Sequence, residues 1–213
     1  TRFKCDWSSD VCSSDLYFPA LMNPTTRENF VKQYSPYINL VTKGTGILAG
    51  TLIAQAIIES SGKYNGEWLV GGSKLSREAN NFFGIKASKG WKGEVYNIKT
   101  GEYTPSGSYY VIADNFRKYP SVEDSIKDYV NFLISNPRYH KAGVFEAKTV
   151  KSQAQALKDA GYATAPNYAD MISQVFESSK KWISGNVAKA AGGGIGLILA
   201  FFLAYKLFNK KMA

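Results

Sequence analysis

"TLIAQAIIESSGKYN", residues 51–65, decides how the rest of the chain is read. Leu52, Ile53, Ala54, Ala56, Ile57 and Ile58 surround a single carboxylate, Glu59. Their spacing predicts a helix from about Thr45 to Ser61, stopped by Gly62. On that helix Thr51, Gln55 and Glu59 fall four residues apart and form one polar stripe on an otherwise apolar rod. A charge in apolar surroundings is costly unless it is paired, solvated or protonated. Two readings stay open at this level. Glu59 either caps the helix end and faces water, or it floors a cleft whose low polarity raises its pKa and makes it a proton donor.

The chain has 213 residues, enough for one domain with a substantial core and an appendage. Its 45% hydrophobic content excludes a disordered chain. A net charge of +9 and a pI near 9.4 point to an anionic partner: nucleic acid, a membrane surface or a wall polymer. The lysines are scattered, with no dense basic stripe and no nucleic-acid motif, so no nucleic-acid partner is expected. The single histidine, His140 in "NPRYHKAG", argues against a histidine-rich metal site and against a Ser-His triad, and reads as a surface residue. Cys5 and Cys12 both lie in "TRFKCDWSSDVCSSDL", residues 1–16, where no amphipathic period occurs. That stretch resembles translated adapter sequence. Residues 1–21 are therefore set apart as a non-native leader, with Met22 as the expected start and no classical signal peptide.

From Met22 on, the pattern is mostly helical. Thr25 and Glu28 have the form of a capping box, and Phe30, Tyr34, Ile38 and Val41 follow with helical spacing, with a break expected at Pro36 between them. Residues 62–90 read as irregular. "GEVYNIKT" and "SYYVIADNFRKY" are rich in β-branched and aromatic residues and flank "GEYTPSG", which predicts a β-hairpin with a long loop. Ser121 with Asp124 caps a helix that "NPRY" ends; Thr149 caps another that stops at Gly161; Pro166 opens the next. The tail differs. "AAGGGIGLILAFFLAY", residues 190–205, is uncharged, and with Leu207 and Phe208 it reaches about 19 residues, or roughly 28 Å as a helix. Residues 186–213 are accordingly expected to be a linker and a membrane segment, with Gly192 and Gly196 as a weak helix-pairing motif.

Five stretches in order carry a resemblance: "LIAQAIIESSGKYNG", "NNFFGIKASKGWKG", "TGEY", "FRKYPSVEDSIKDYVNFL" and "AGYATAPNYA". Together, over about residues 25–180, they resemble the bacterial endo-β-N-acetylglucosaminidases of glycoside hydrolase family 73, the flagellar and autolysin-type glucosaminidases. The resemblance implies an α+β, mainly α, lysozyme-like domain over residues 22–185 with a small β-hairpin wall; the apolar tail adds a C-terminal hydrophobic helix. It also implies cleavage of the β-1,4 bond after N-acetylglucosamine in peptidoglycan, at the cell envelope of a bacterium or from a phage; membrane contact is expected from the apolar tail. No metal and no organic cofactor is implied. A muramidase or lytic transglycosylase on the same scaffold, and a non-catalytic wall-binding protein, are the alternatives.

Residue by residue, Glu59 matches the family's general acid, and Glu102, in Thr100-Gly101-Glu102-Tyr103, matches its second acidic residue. For Glu102 three roles stay open: activating water, stabilising the oxocarbenium-like transition state, or yielding that part to the substrate's acetamido group. Gln55, Asn81, Phe82, Tyr119, Tyr139 and Tyr162 are the implied substrate-binding residues. Asn81 would bond an acetamido group, one of Phe82 and Phe83 would pack on a sugar face, and the tyrosines offer a ring and a hydroxyl. The family form commonly has Asp where Ala165 stands here.

Overall fold

The computed structural model describes residues 21–103 and 109–193. The expected leader, with its two cysteines, and the apolar run from residue 194 onward lie outside the described residues. The architecture is the expected α+β, mainly helical one, with two two-stranded antiparallel sheets. Among the described residues no helix is long and apolar enough to cross a membrane.

Helix α1 (Arg27–Thr42) is capped by Thr26, whose hydroxyl accepts from the Asn29 amide at 3.2 Å. The cap lies one residue later than the sequence suggested, because the Thr25 backbone is engaged elsewhere. Its N–H donates to Val70 O at 3.0 Å, and the Val70 N–H donates back at 2.9 Å. The helix also runs through Pro36 without the expected break. An interior proline costs about 3 kcal/mol. Here Phe30, Val31, Tyr34 and Ile38 are buried on one face, and that packing outweighs it.

Helix α2 (Ala49–Ser60) starts four residues after the expected position and packs against α1, α6 (Val150–Asp159) and α7 (Tyr168–Gly193). Its start is fixed from a distance. Gln153 of α6 accepts from the Leu48 amide at 2.8 Å and donates to the carbonyls of Gly46 (2.9 Å) and Val144 (2.8 Å). Gly46 has φ +82, and a Cβ there would lie 2.6 Å from Phe145 O. A buried glutamine over a hundred residues away thus supplies the cap that the local sequence lacks.

Residues 62–90 are more regular than expected. Strands β1 (Gly62–Tyr64) and β2 (Glu67–Leu69) form a hairpin across Asn65 and Gly66, both at positive φ, and α3 (Lys74–Ala79) follows with Ser73 as its cap. The longer hairpin is as predicted: β3 (Val95–Tyr103) pairs with β4 (Tyr109–Arg117). Its base is stitched to the loop after α3, since Ala87 donates to Asn115 O at 2.8 Å and Arg117 to Ile85 O at 3.0 Å. The Ser121 cap of α4 (Val122–Ser135) and the Thr149 cap of α6 are as read, and the short α5 (Pro137–Lys141) fills the stretch after "NPRY" begins. Leu52, Ile53, Ile126, Tyr129, Leu133 and Ile172 are fully buried and place the core around α2.

Candidate active site

Glu59 sits in the last turn of α2, beside a cavity of about 460 Å³. Four segments converge there: the loop from Phe83 to Lys86, Phe132 of α4, Arg138 of α5, and Gly161 to Ala163 after α6. Just past Glu59 the chain turns away sharply. Ser60 is fully buried; its hydroxyl accepts from the Gly71 amide at 3.1 Å and its carbonyl from the Ser73 amide at 2.9 Å. Gly62 is pressed so close to Ser73 that a Cβ would lie 2.6 Å from its nitrogen. The helix end is therefore fixed while the carboxyl itself stays open toward the cavity.

Burial pushes the Glu59 carboxyl up to about 7. By surface area the side chain is exposed, opening onto the cavity, while the protein packed around it still makes the charged form costly. Its place at the C-terminal, electronegative end of a helix acts in the same direction. A carboxyl group with such a pKa is part protonated at neutral pH and matched to general acid work.

Behind Glu59 lies a buried phenol cluster. Gln55, one turn back on α2, donates its amide to Tyr129 Oη (2.7 Å) and Tyr168 Oη (2.8 Å). Tyr129 stacks on Phe83 with ring centroids 4.1 Å apart, and the Tyr162 hydroxyl donates to the Phe83 carbonyl at 3.0 Å. Burial raises the pKa of Tyr162 and Tyr168, and the nearby Glu59 charge adds to it, so both phenols stay neutral.

The structure sorts the sequence-predicted residues. Glu59 and Tyr162 share the cavity, and Phe83 rather than Phe82 lines it. Phe82 is core: fully buried and stacked on Phe30 at 5.8 Å. Gln55 does not reach the cavity, because the helices around α2 enclose it; the polar stripe opens only at Glu59. Asn81 is not placed to meet an acetamido group. It is 1% exposed, its amide donates to Ile85 O (2.9 Å) and Arg117 O (2.8 Å), and its oxygen accepts from the Ile85 amide (3.1 Å). It shapes the loop instead. Tyr139 is fully buried beneath Arg138.

Tyr119 lies apart from Glu59, on a second cavity of about 740 Å³ between α3, α4 and the hairpin base. It is buried and donates to Asp128 Oδ2 at 2.7 Å. Asp128 also pairs with Arg117 at 2.6 Å, and the Arg117 guanidinium lies 4.7 Å from the Trp91 ring and 5.8 Å from Phe132. Glu102 is on β3 opposite Tyr110, within the strand rather than in the connecting loop; its side chain lies outside the described residues. Sequence reasoning missed Lys86, Phe132 and Arg138. The one sequence signal for Arg138 is "NPRY", in which the tyrosine is the more conspicuous residue.

The chain is similar to known proteins along most of its described length. The family model described as mannosyl-glycoprotein endo-beta-N-acetylglucosaminidase matches residues 35–181. The peptidoglycan hydrolase FlgJ of Escherichia coli K12 is 37% identical over 170 residues, which are 78% of this chain and 50% of that protein. The exo-glucosaminidase LytG of Bacillus subtilis is 34% identical over 151 residues, 70% of this chain and 50% of that one. The chain thus spans about half the length of these curated relatives. Among solved structures, the catalytic domain of the autolysin Auto from Listeria monocytogenes superposes with a TM-score of 0.60 at 32% identity, covering 75% of this chain and 87% of that chain. The glycoside hydrolase domain of Salmonella typhimurium FlgJ gives a TM-score of 0.54 at 31% identity, covering 82% and 99%. The mainly helical, lysozyme-like fold is shared with these domains.

Proposed function

This chain belongs to the mannosyl-glycoprotein endo-β-N-acetylglucosaminidase family, and on that footing we propose that it is a peptidoglycan hydrolase that cleaves the β-1,4 bond after N-acetylglucosamine, with Glu59 as general acid. The observation that carries this reading is a carboxyl with a pKa of about 7 facing a cavity that sugar rings can enter. At neutral pH the protonated Glu59 donates to the glycosidic oxygen as the bond to the anomeric carbon breaks. The positive charge that develops on the sugar ring needs an anion or a nucleophile on its other face. Glu102, on the hairpin, is the candidate for that second part. Tyr162 supports the site from the side of the Gly161 turn, with its hydroxyl held by the Phe83 carbonyl.

The relatives' names include both an endo family and an exo-glucosaminidase, so the point of attack along the strand belongs to the same test. Residues 186–213 extend the proposal to the envelope: the apolar run tethers the domain to a membrane facing peptidoglycan. The deciding experiment is digestion of purified peptidoglycan followed by mass analysis. Products with reducing-end N-acetylglucosamine support the assignment. Reducing-end N-acetylmuramic acid would make the protein a muramidase, anhydromuramic ends a lytic transglycosylase, and binding without products a wall-binding protein. Release of single sugars rather than oligosaccharides would mark an exo mode.

A further inference from the structure

The cavity beside Glu59 carries two cations, Lys86 and Arg138. Lys86 binds Asp114 at 2.5 Å. Arg138 has no carboxylate partner among the described residues. Its guanidinium lies 4.6 Å from the centroid of the Tyr139 ring and donates to the hydroxyl of the same residue. Tyr139 is fully buried, so the cation rests on a fixed aromatic platform at the cavity wall. This explains why a tyrosine with no access to substrate stands next to the site.

Arg138 does not act on Glu59. A guanidinium close enough to pair with that carboxyl would lower its pKa and ionise the acid. No ion pair joins the two among the described residues, and the Glu59 shift is upward, with burial as its cause. The positive charge is therefore available to whatever fills the cavity. A strand of N-acetylated sugars has no charge of its own at the bond that is cut. In peptidoglycan the carboxylates nearest that bond are on the peptide attached to the lactyl ether of muramic acid. A planar guanidinium takes a carboxylate in two parallel hydrogen bonds.

We propose that Arg138 is a specificity-determining residue that binds a carboxylate on the peptide stem of the sugar next to the bond cleaved. The inference rests on the reading of this site as a peptidoglycan glucosaminidase. It makes the enzyme a reader of peptide-bearing strands rather than of neutral N-acetylglucosamine polymers. It also makes amidation of the stem, which removes the carboxylate, a change this site detects.

The test uses the full chain with Glu59→Gln, so that ligand is bound and not consumed. Calorimetry compares two N-acetylglucosaminyl-N-acetylmuramyl dipeptides, one with free carboxylates and one with them amidated. Adding Arg138→Gln is expected to weaken the acidic ligand about tenfold and leave the amidated one within about twofold; Arg138→Lys falls between. Equal losses for both ligands, or no loss for either, overturn the proposal. A structural role would lower the melting temperature and weaken both ligands alike, which counts as the first of these. Failure of the glucosaminidase reading registers separately, as the absence of N-acetylglucosamine-ended products when the wild-type protein digests peptidoglycan.

Discussion

Tyr162 donates its hydroxyl to the carbonyl oxygen of Phe83 at 3.0 Å, joining the turn after α6 to the loop after α3 across the cavity that holds Glu59. The two segments are 79 residues apart in sequence, and both line the cavity. Removing the hydroxyl leaves the ring, its packing against Tyr129 and the cavity volume in place. Tyr162→Phe is therefore expected to cost only about 1 kcal/mol of stability, as for a single buried hydrogen bond. Turnover of peptidoglycan should fall by at least about tenfold, because the wall no longer holds its geometry. Melting curves and turbidity clearance of cell walls, measured on the same preparations, check both numbers; unchanged turnover would remove Tyr162 from the site.

General acid catalysis fixes the sign of the pH dependence. In the proposed role of general acid the Glu59 carboxyl, raised to about 7, acts only when protonated, so kcat/KM should decline as pH rises through about 7. Glu59→Gln should lower turnover by roughly 10²–10⁴, the usual yield of a positioned acid, and abolish that alkaline limb. A pH profile of wall digestion from pH 4 to 9 for both proteins is sufficient. A limb that survives in the Gln variant would assign it to another group.

Stability should show the same titration from the other side. The folded-state pKa of Glu59 lies above its ordinary value of 4.5, so the native protein binds more protons than the unfolded chain between about pH 4.5 and 7. The ionised group thus costs stability, with the cost absent below about pH 4.5 and complete above about 7. Because the side chain is open on the cavity side, that cost is on the order of 1 kcal/mol after solvent screening. Glu59→Gln should accordingly raise the melting temperature at pH 8 and leave it unchanged at pH 4. A stabilisation equal at both values would contradict the assigned shift.

Gln153 offers a test of the fold apart from the chemistry. Its side chain is fully buried and holds Gly46, Leu48 and Val144 in three hydrogen bonds of 2.8–2.9 Å. At about 1 kcal/mol each, Gln153→Ala should cost about 3 kcal/mol and lower the urea midpoint accordingly. Turnover of the fraction that stays folded should change little, since no contact of Gln153 reaches the cavity.

What the sequence showed plainly was what repeats locally. The Glu59 helix, the Ser121 and Thr149 caps, and the β3–β4 hairpin all follow from spacing and capping chemistry within a few residues. Other features depended on distant partners. The α2 start is set by Gln153, and the loss of Thr25 as a cap by its pairing with Val70. The β1–β2 hairpin was missed although Asn65-Gly66 is a known turn signal, because three-residue strands are too short to show a period. In the site, residue type suggested the right kinds of groups but not their direction. Asn81 and Phe82 are adjacent to the wall residue Phe83, yet one bonds its own loop and the other enters the core. Arg138 was overlooked because nothing in its spacing marks the buried ring on which it rests.

The raised pKa of Glu59 comes from the protein packed around a side chain that still meets water at the cavity. A sugar that fills the cavity displaces that remaining water, and so pushes the carboxyl further toward its neutral form. Under the proposed function, substrate entry near pH 7 thus draws a proton from solution onto the acid. On the proposed mechanism docking and arming the acid are one event, the strand favouring the protonation on which its own cleavage depends.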